Sequence, residues 1–186
     1  MPDRQEVLSG LYGAYRLARF DPSGMANFNL TVEGFWHSFF AAVLVAPAYA
    51  ILVGMQLSAG ADELNLALVF LTEGIGYVLA WCAFPLVAIL LTRLLGLDRN
   101  YVALIVAVNW SAVLQTGAFL AVLLVGLIVP EGLGTLIVTL TTLAILTYQW
   151  FVIRTALETT GGIALMLLLV DLVITTMINA GADRML

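Results

Sequence analysis

The chain has 186 residues, of which 62% are hydrophobic and only 10% charged, with a mean hydropathy of +1.06. A soluble domain of this size carries roughly 25% charged residues to cover its surface, so this composition excludes an ordinary water-facing globule and points to a single compact membrane domain. The net charge of −5 excludes a nucleic-acid partner, whose phosphates need a basic face; the one cysteine, Cys82, excludes an intrachain disulfide and is expected as a small packing residue.

Residues 4–20 place Val7, Leu8, Leu11, Tyr15 and Ala18 at helical spacing, with Gln5, Ser9, Arg16 and Arg19 elsewhere. This predicts an N-terminal amphipathic helix lying at the membrane interface, weakened by Gly10 and Gly13. Asp21-Pro22-Ser23-Gly24 predicts a turn. No continuous apolar run occupies the first thirty residues, so the first span, not a cleaved leader, is expected to anchor the chain. Residues 1–33 are accordingly read as a cytoplasmic or interfacial segment, 34–180 as a five-helix transmembrane domain and 181–186 as a short outer tail.

The first span is predicted over Gly34–Met55, with Phe35 and Trp36 at its edge, His37 beside Glu33, and a kink at Pro47. Ala42, Ala46, Ala50 and Gly54 recur four apart, a small-residue stripe that lets a second helix approach closely. A polar loop, Leu57–Asn65, with Asp62 as a helix cap, leads to the second span, Leu66–Leu95. Its thirty residues exceed the roughly twenty needed to cross; Glu73 lies in its first third and Pro85 bends it. The third and fourth spans, Tyr101–Val129 and Leu133–Val152, are joined so tightly at Pro130-Glu131-Gly132 that they must be antiparallel neighbours. The fourth ends in the aromatic cluster Tyr148, Trp150 and Phe151. The fifth, Ile163–Ile178, is the shortest, recruits Gly161 and Gly162, and is expected to stop at Asn179-Ala180-Gly181.

Arginine sets the orientation, because basic residues favour the cytoplasmic side. An inside N-terminus puts Arg4, Arg16, Arg19, Arg93, Arg99 and Arg154 inside and only Arg184 outside. The prediction is an all-α polytopic bundle of five spans, N-in and C-out, in a bacterial inner membrane.

Ionisable residues inside spans are candidates for function. Glu73 and Asp171 are the two, and neither has an arginine within its own span. Such a carboxyl either holds helices together by hydrogen bonding, with Asn109, Gln115 and Gln149 as available partners, or lies on a proton or cation path. Counting residues along the helices places Asp171 and Gln115 at similar depth. The sequence has no HExxH, Walker loop, GxSxG or CxxC pattern, and its polar residues are too scattered for a metal cage. No enzyme, metal or cofactor is expected.

The run Leu90-Leu91-Thr92-Arg93-Leu94-Leu95-Gly96, then Tyr101 and Asn109-Trp110-Ser111-Ala112, resembles the bacterial members of the Yip family (Ypt-interacting-protein-like membrane proteins). Ser9-Gly10-Leu11-Tyr12-Gly13 keeps a Leu-Tyr-Gly core without the proline of eukaryotic members. The resemblance implies five spans, a short cytoplasmic N-terminus and a membrane-organising role. The expected function is a non-enzymatic adaptor, assembly factor or accessory subunit acting through helix–helix contacts, in the bilayer and with another membrane protein or a second copy. The alternative is a small transporter or channel using Glu73 and Asp171.

Overall fold

The computed structural model describes residues 1–58 and 66–184. The expected cap at Asp62, most of the polar loop before it and the last two residues of the tail lie outside the described residues. Seven α-helices and two short 3-10 turns make up the described chain, and among the described residues there is no strand. The α-helices are α1 (Arg4–Ala18), α2 (Val32–Ser38), α3 (Phe40–Ser58), α4 (Leu66–Leu94), α5 (Tyr101–Gly126), α6 (Glu131–Ala156) and α7 (Gly161–Asp183).

Five stretches, of 22 to 29 residues, are long and apolar enough to cross a membrane: Val32–Met55, Leu68–Leu94, Asp98–Gly126, Glu131–Ala156 and Gly161–Ala182. Their outward faces are apolar. On α6, Leu133, Leu136, Leu140 and Leu143 form one helical stripe, each more than half exposed, and on α4 Phe70, Val78, Leu86 and Leu90 are likewise exposed. Meanwhile Ser38, Thr92, Asn109, Ser111 and Gln149 are buried inside. Leucine outside and amides inside suits a hydrocarbon solvent, and the chain is a multi-pass membrane protein. Thr135, Thr139, Thr142 and Thr147 sit on exposed positions of α6, and each hydroxyl donates to the carbonyl four residues back. That bond satisfies a hydroxyl where lipid offers it no partner.

The spans do not pack in chain order. The α5–α6 hairpin is the most extensive pairing; α3 lies on α5, and α7 lies on α6 and on α4. By contrast α3 and α4, consecutive in the chain, hardly approach each other through their backbones. The core is two clusters along the α5–α6 pair. One gathers Ala14, Leu17, Val106, Trp110, Tyr148 and Val152; the other gathers Phe84, Leu104, Ile105, Ile153, Leu157 and Leu167.

Several elements depart from expectation. The first span is not one continuous helix: α2 ends at Ser38, whose hydroxyl donates to the Phe35 carbonyl at 2.7 Å. Tight i→i−3 bonds at Phe39 and Ala42 then offset α3 from α2. The fourth span starts at Glu131 and runs on to Ala156, with Pro130 just ahead of its first turn. The expected stop at Asn179-Ala180-Gly181 does not occur, and α7 continues through it to Asp183. Within a span, keeping the backbone hydrogen-bonded outweighs the modest cost of one glycine. Pro47 and Pro85 lie inside α3 and α4 without ending either helix. Cys82 faces outward and does not pack in the core.

The glycines of α1 have a role opposite to the one expected of them. Gly10, Gly13, Ala14 and Leu17 are its buried residues, and a Cβ at Gly10 would stand 2.6 Å from Trp110 ring carbons. They weaken the isolated helix, but Gly10 lets it lie close to Trp110 of α5 and Gly13 lets the turn around Gly24 and Phe28 fold back onto it. Leu8, Tyr12 and Tyr15 are left exposed on the opposite side.

Three helices end in the same cap. After α4, Gly96 takes a left-handed φ of 68° while Leu97 N–H donates to Thr92 and Gly96 N–H to Arg93, the Schellman arrangement that glycine favours. After α1 and α6 the same position is filled by Phe20 (φ 58°) and Glu158 (φ 50°). Phe20 is held there by an edge-on contact with Phe151, ring centroids 5.1 Å apart, whereas Glu158 is exposed.

Two substitutions to or from glycine should therefore have opposite signs. Glu158→Gly relieves left-handed strain and should raise stability by about 1 kcal/mol. Gly10→Ala gains about 1 kcal/mol of helix propensity but forces Trp110 aside, at about 1–3 kcal/mol, and should loosen α1. Thermal unfolding in detergent reads the first; the rate of tryptic cleavage after Arg16 and Arg19 reads the second.

Candidate functional site

Polar side chains gather in three places. The first fastens α1, the 3-10 turn Pro22–Asn27 and α2 to the arginine-rich end of the bundle. Glu6 accepts from Asn29 Nδ2 at 2.9 Å and faces His37 Nδ1 at 2.6 Å. The Glu6 and His37 side chains are only 19% and 18% exposed, so this pair is shielded as most surface ion pairs are not. The Nε2 side of His37 lies 3.8 Å from Glu33. Asn29 also forms an Asx turn with Thr31, and a Cβ at Gly34 would strike the Asn29 carbonyl, so only glycine fits there.

One step further into the bundle, Asn109 Nδ2 donates to Ser38 Oγ at 2.9 Å, and Tyr148 Oη donates to the Ala14 carbonyl at 2.8 Å. With its single proton engaged there, Tyr148 accepts from the Ser111 hydroxyl, also at 2.8 Å. These bonds tie α1 and α2 to α5 and α6. Sequence reasoning identified Asn109 but not its partner, and missed Glu6, Ser38, Ser111 and Tyr148 as a network. The available signal was the spacing of small residues at Gly10, Gly13 and Ala14, which marks a docking face.

The second place is a cavity of about 170 Å³ between α4, α5, α6 and α7. Asn109, Gln115, Gln149 and Asp171 line it together with Trp81, Phe84 and Pro85. Gln115 Nε2 donates to Gln149 Oε1 at 2.7 Å. Four of the five polar candidates thus meet, and the shared depth of Asp171 and Gln115 is realised. Asp171 has no hydrogen-bond or ion-pair partner among the described residues.

The fifth, Glu73, stands apart. Tyr49 of α3 donates to it at 2.7 Å, the Tyr49 and Tyr77 rings lie 4.7 Å apart, and Tyr77 donates to the Ala42 carbonyl at 2.6 Å. These side chains bridge α3 and α4 across a groove of about 190 Å³. Ala46, Ala50 and Gly54 line it from α3, and Phe70, Glu73 and Gly74 from α4. Ala46, Ala50 and Gly54 are exposed, Ala42 is half-buried, and a Cβ at Gly54 or Gly74 would meet nothing within 4 Å. Among the described residues, the small-residue stripe is therefore not consumed by packing.

The arginines mark one end of the molecule. Arg16 bridges to Asp21 at 2.6 Å and also donates to the Ser23 hydroxyl. Arg19 lies over the Tyr15 ring and Arg154 over Trp150, at 5.9 and 5.6 Å from the centroids, while Arg93 and Arg99 are exposed nearby. No group of three or more histidine, cysteine or carboxylate side chains arranged to hold a metal occurs among the described residues. Comparison with protein-family models, curated proteins and solved structures finds no match.

The turn after α1 should respond to acid. The Ser23 hydroxyl, and then Arg16, hold the Asp21 carboxyl below its ordinary value of 3.8. A lowered value means the bond helps the folded turn above about pH 4 and is lost as the pH falls through the lowered value. Hydrogen exchange of the Ser23 amide, relative to its intrinsic rate, should accelerate below about pH 4 as its acceptor Asp21 is protonated, and Asp21→Asn should show faster tryptic cleavage after Arg19 at neutral pH.

Proposed function

We propose that this protein is a non-enzymatic component of a membrane complex, an adaptor, assembly factor or accessory subunit, that receives a transmembrane helix of another membrane protein in the groove between α3 and α4. One observation carries the reading: the stripe Ala46, Ala50 and Gly54 faces a groove that the described residues leave open, with Gly74 on its other wall. Small residues on both walls allow close backbone approach, the principal source of helix association in lipid. Glu73, anchored by Tyr49, offers a hydrogen-bonding group to a polar residue of the incoming helix. A path running through both Glu73 and Asp171 has less support, since the two line different cavities.

The same proposal includes the orientation, the location and the kinship. Arginines gathered at the end that holds α1 support an inside N-terminus, and a bacterial inner membrane is the setting we infer. The exposed Leu8, Tyr12 and Tyr15 of α1 suit the headgroup layer. Five spans and the Arg93-Leu94-Leu95-Gly96 turn are what a Yip-like protein would have.

Purification in mild detergent should recover the chain with a companion protein, and Ala50→Phe, which fills the groove, should release it while leaving the chain folded. A lone monomer in the wild type, or a companion retained by Ala50→Phe, would overturn the reading. For orientation, a cysteine introduced within 59–65, in a Cys82→Ala background, should react with an impermeant reagent added from outside the cell; reaction only after lysis would reverse it.

A further inference from the structure

We infer that the cavity between α4, α5, α6 and α7 is a binding site for a small alkylammonium cation, a primary or secondary amine carried in its charged form. The inference does not depend on the helix-docking reading, which concerns a different groove.

The first argument is the balance of donors and acceptors. Asn109 spends one amide N–H on Ser38 and Gln115 one on Gln149, so each keeps its amide oxygen, with two lone pairs, and one further N–H. Asp171 adds two carboxylate oxygens with no partner among the described residues. Pro85 lacks an N–H, so the Trp81 carbonyl loses its usual partner four residues on, and both residues line the cavity. Against these acceptors stand the second N–H of Asn109 and of Gln115, the two of Gln149 and the Trp81 indole N–H, still fewer protons than the lone pairs that the two amide oxygens, the carboxylate and the Trp81 carbonyl offer. Such a surplus of oxygen asks for a ligand that only donates, and an ammonium group does.

The second argument is charge. No arginine or histidine pairs with Asp171, and the basic residues that lie within helices are at the arginine-rich end. By residue count along α7, Asp171 lies about 15 Å from its first turn. A carboxylate at that depth is expensive unless paired, and a bound cation supplies the charge the chain does not.

The third argument is the rest of the wall. Trp81 and Phe84 present aromatic rings, and Ala80, Pro85, Val108 and Ala112 are apolar. Aromatic faces attract cations, and apolar walls favour a ligand with an alkyl portion over a bare ion. At about 30 Å³ per water-sized group, 170 Å³ admits a ligand of about five heavy atoms or fewer.

The test is equilibrium binding of radiolabelled methylammonium at pH 7 to the purified full chain in phosphatidylcholine nanodiscs, whose zwitterionic headgroups do not compete for an amine. The wild type should bind one equivalent saturably. Asp171→Asn should weaken binding at least about tenfold, the scale of a charged hydrogen bond. Gln115→Met, which keeps the carboxylate and side-chain length but removes one acceptor, should weaken it about threefold to tenfold and serves if Asp171→Asn does not fold. Thr142→Val, on a lipid-facing position of α6, should bind as the wild type does. Absence of saturable binding, binding unaltered in both cavity variants, or displacement by potassium as effective as by unlabelled methylammonium would each overturn the assignment.

Discussion

Hydrocarbon offers no hydrogen bonds, and nearly every polar arrangement in this protein follows from that. Threonines facing lipid on α6 turn back onto their own helix, while the amides Asn109 and Gln149, which need more partners than one carbonyl, are buried between helices. The result inverts a soluble protein, with leucines outside and Asn109, Ser111 and Gln149 within. Among the described residues no buried side-chain nitrogen or oxygen lacks a partner. Against that background Asp171 is conspicuous, because it opens onto a cavity without a partner of its own.

The N-terminal segment belongs to the same logic. Its helix buries a face of Gly10, Gly13, Ala14 and Leu17; Trp110, only 2% exposed, fills the space at Gly10, and Gly24, Asn27 and Phe28 fill that at Gly13. Tyr148 reaches the Ala14 carbonyl, and Asn109 reaches Ser38. Asn109 also borders the polar cavity, so a single side chain connects the α2 junction to the cavity wall. The segment is a structural part of the bundle's arginine-rich end.

The spans were legible because a run of twenty apolar residues has few alternatives to a membrane helix, and the meeting of Asp171 with Gln115 followed from counting rise per residue. What was not legible had physical reasons. Hydropathy has no term for which helix touches which or which face a residue takes, so neither the separation of the α3 and α4 backbones nor the placing of Glu73 and Asp171 on different cavities could be read. Gly10 and Gly13 read in sequence only as a weakness of the helix, because what fills the space beside them, Trp110 at Gly10 and the turn around Gly24 and Phe28 at Gly13, is a matter of tertiary placement. The break at Phe39 accompanies one hydroxyl, Ser38, turning onto Phe35, and no glycine or proline stands at that point to announce it. The passage of α7 through Asn179-Ala180-Gly181 shows a stop signal calibrated on water-soluble helices losing its force in lipid.

The bond between Tyr148 and Ala14 joins residues 134 positions apart, and it bears on how the chain is made. The helix synthesised first finds its partners on α5 and α6, which emerge much later, and α3 likewise has its main neighbour in α5 and not in the adjacent α4. Assembly cannot proceed hairpin by hairpin from the N-terminus. It must wait for the α5–α6 pair, after which α3, α7 and finally the N-terminal helix can dock. Long-range closure of this kind is slow and leaves early segments incompletely paired during synthesis: α1 can close at once on the Pro22–Asn27 turn through Gly13, but its Gly10 side must wait for Trp110.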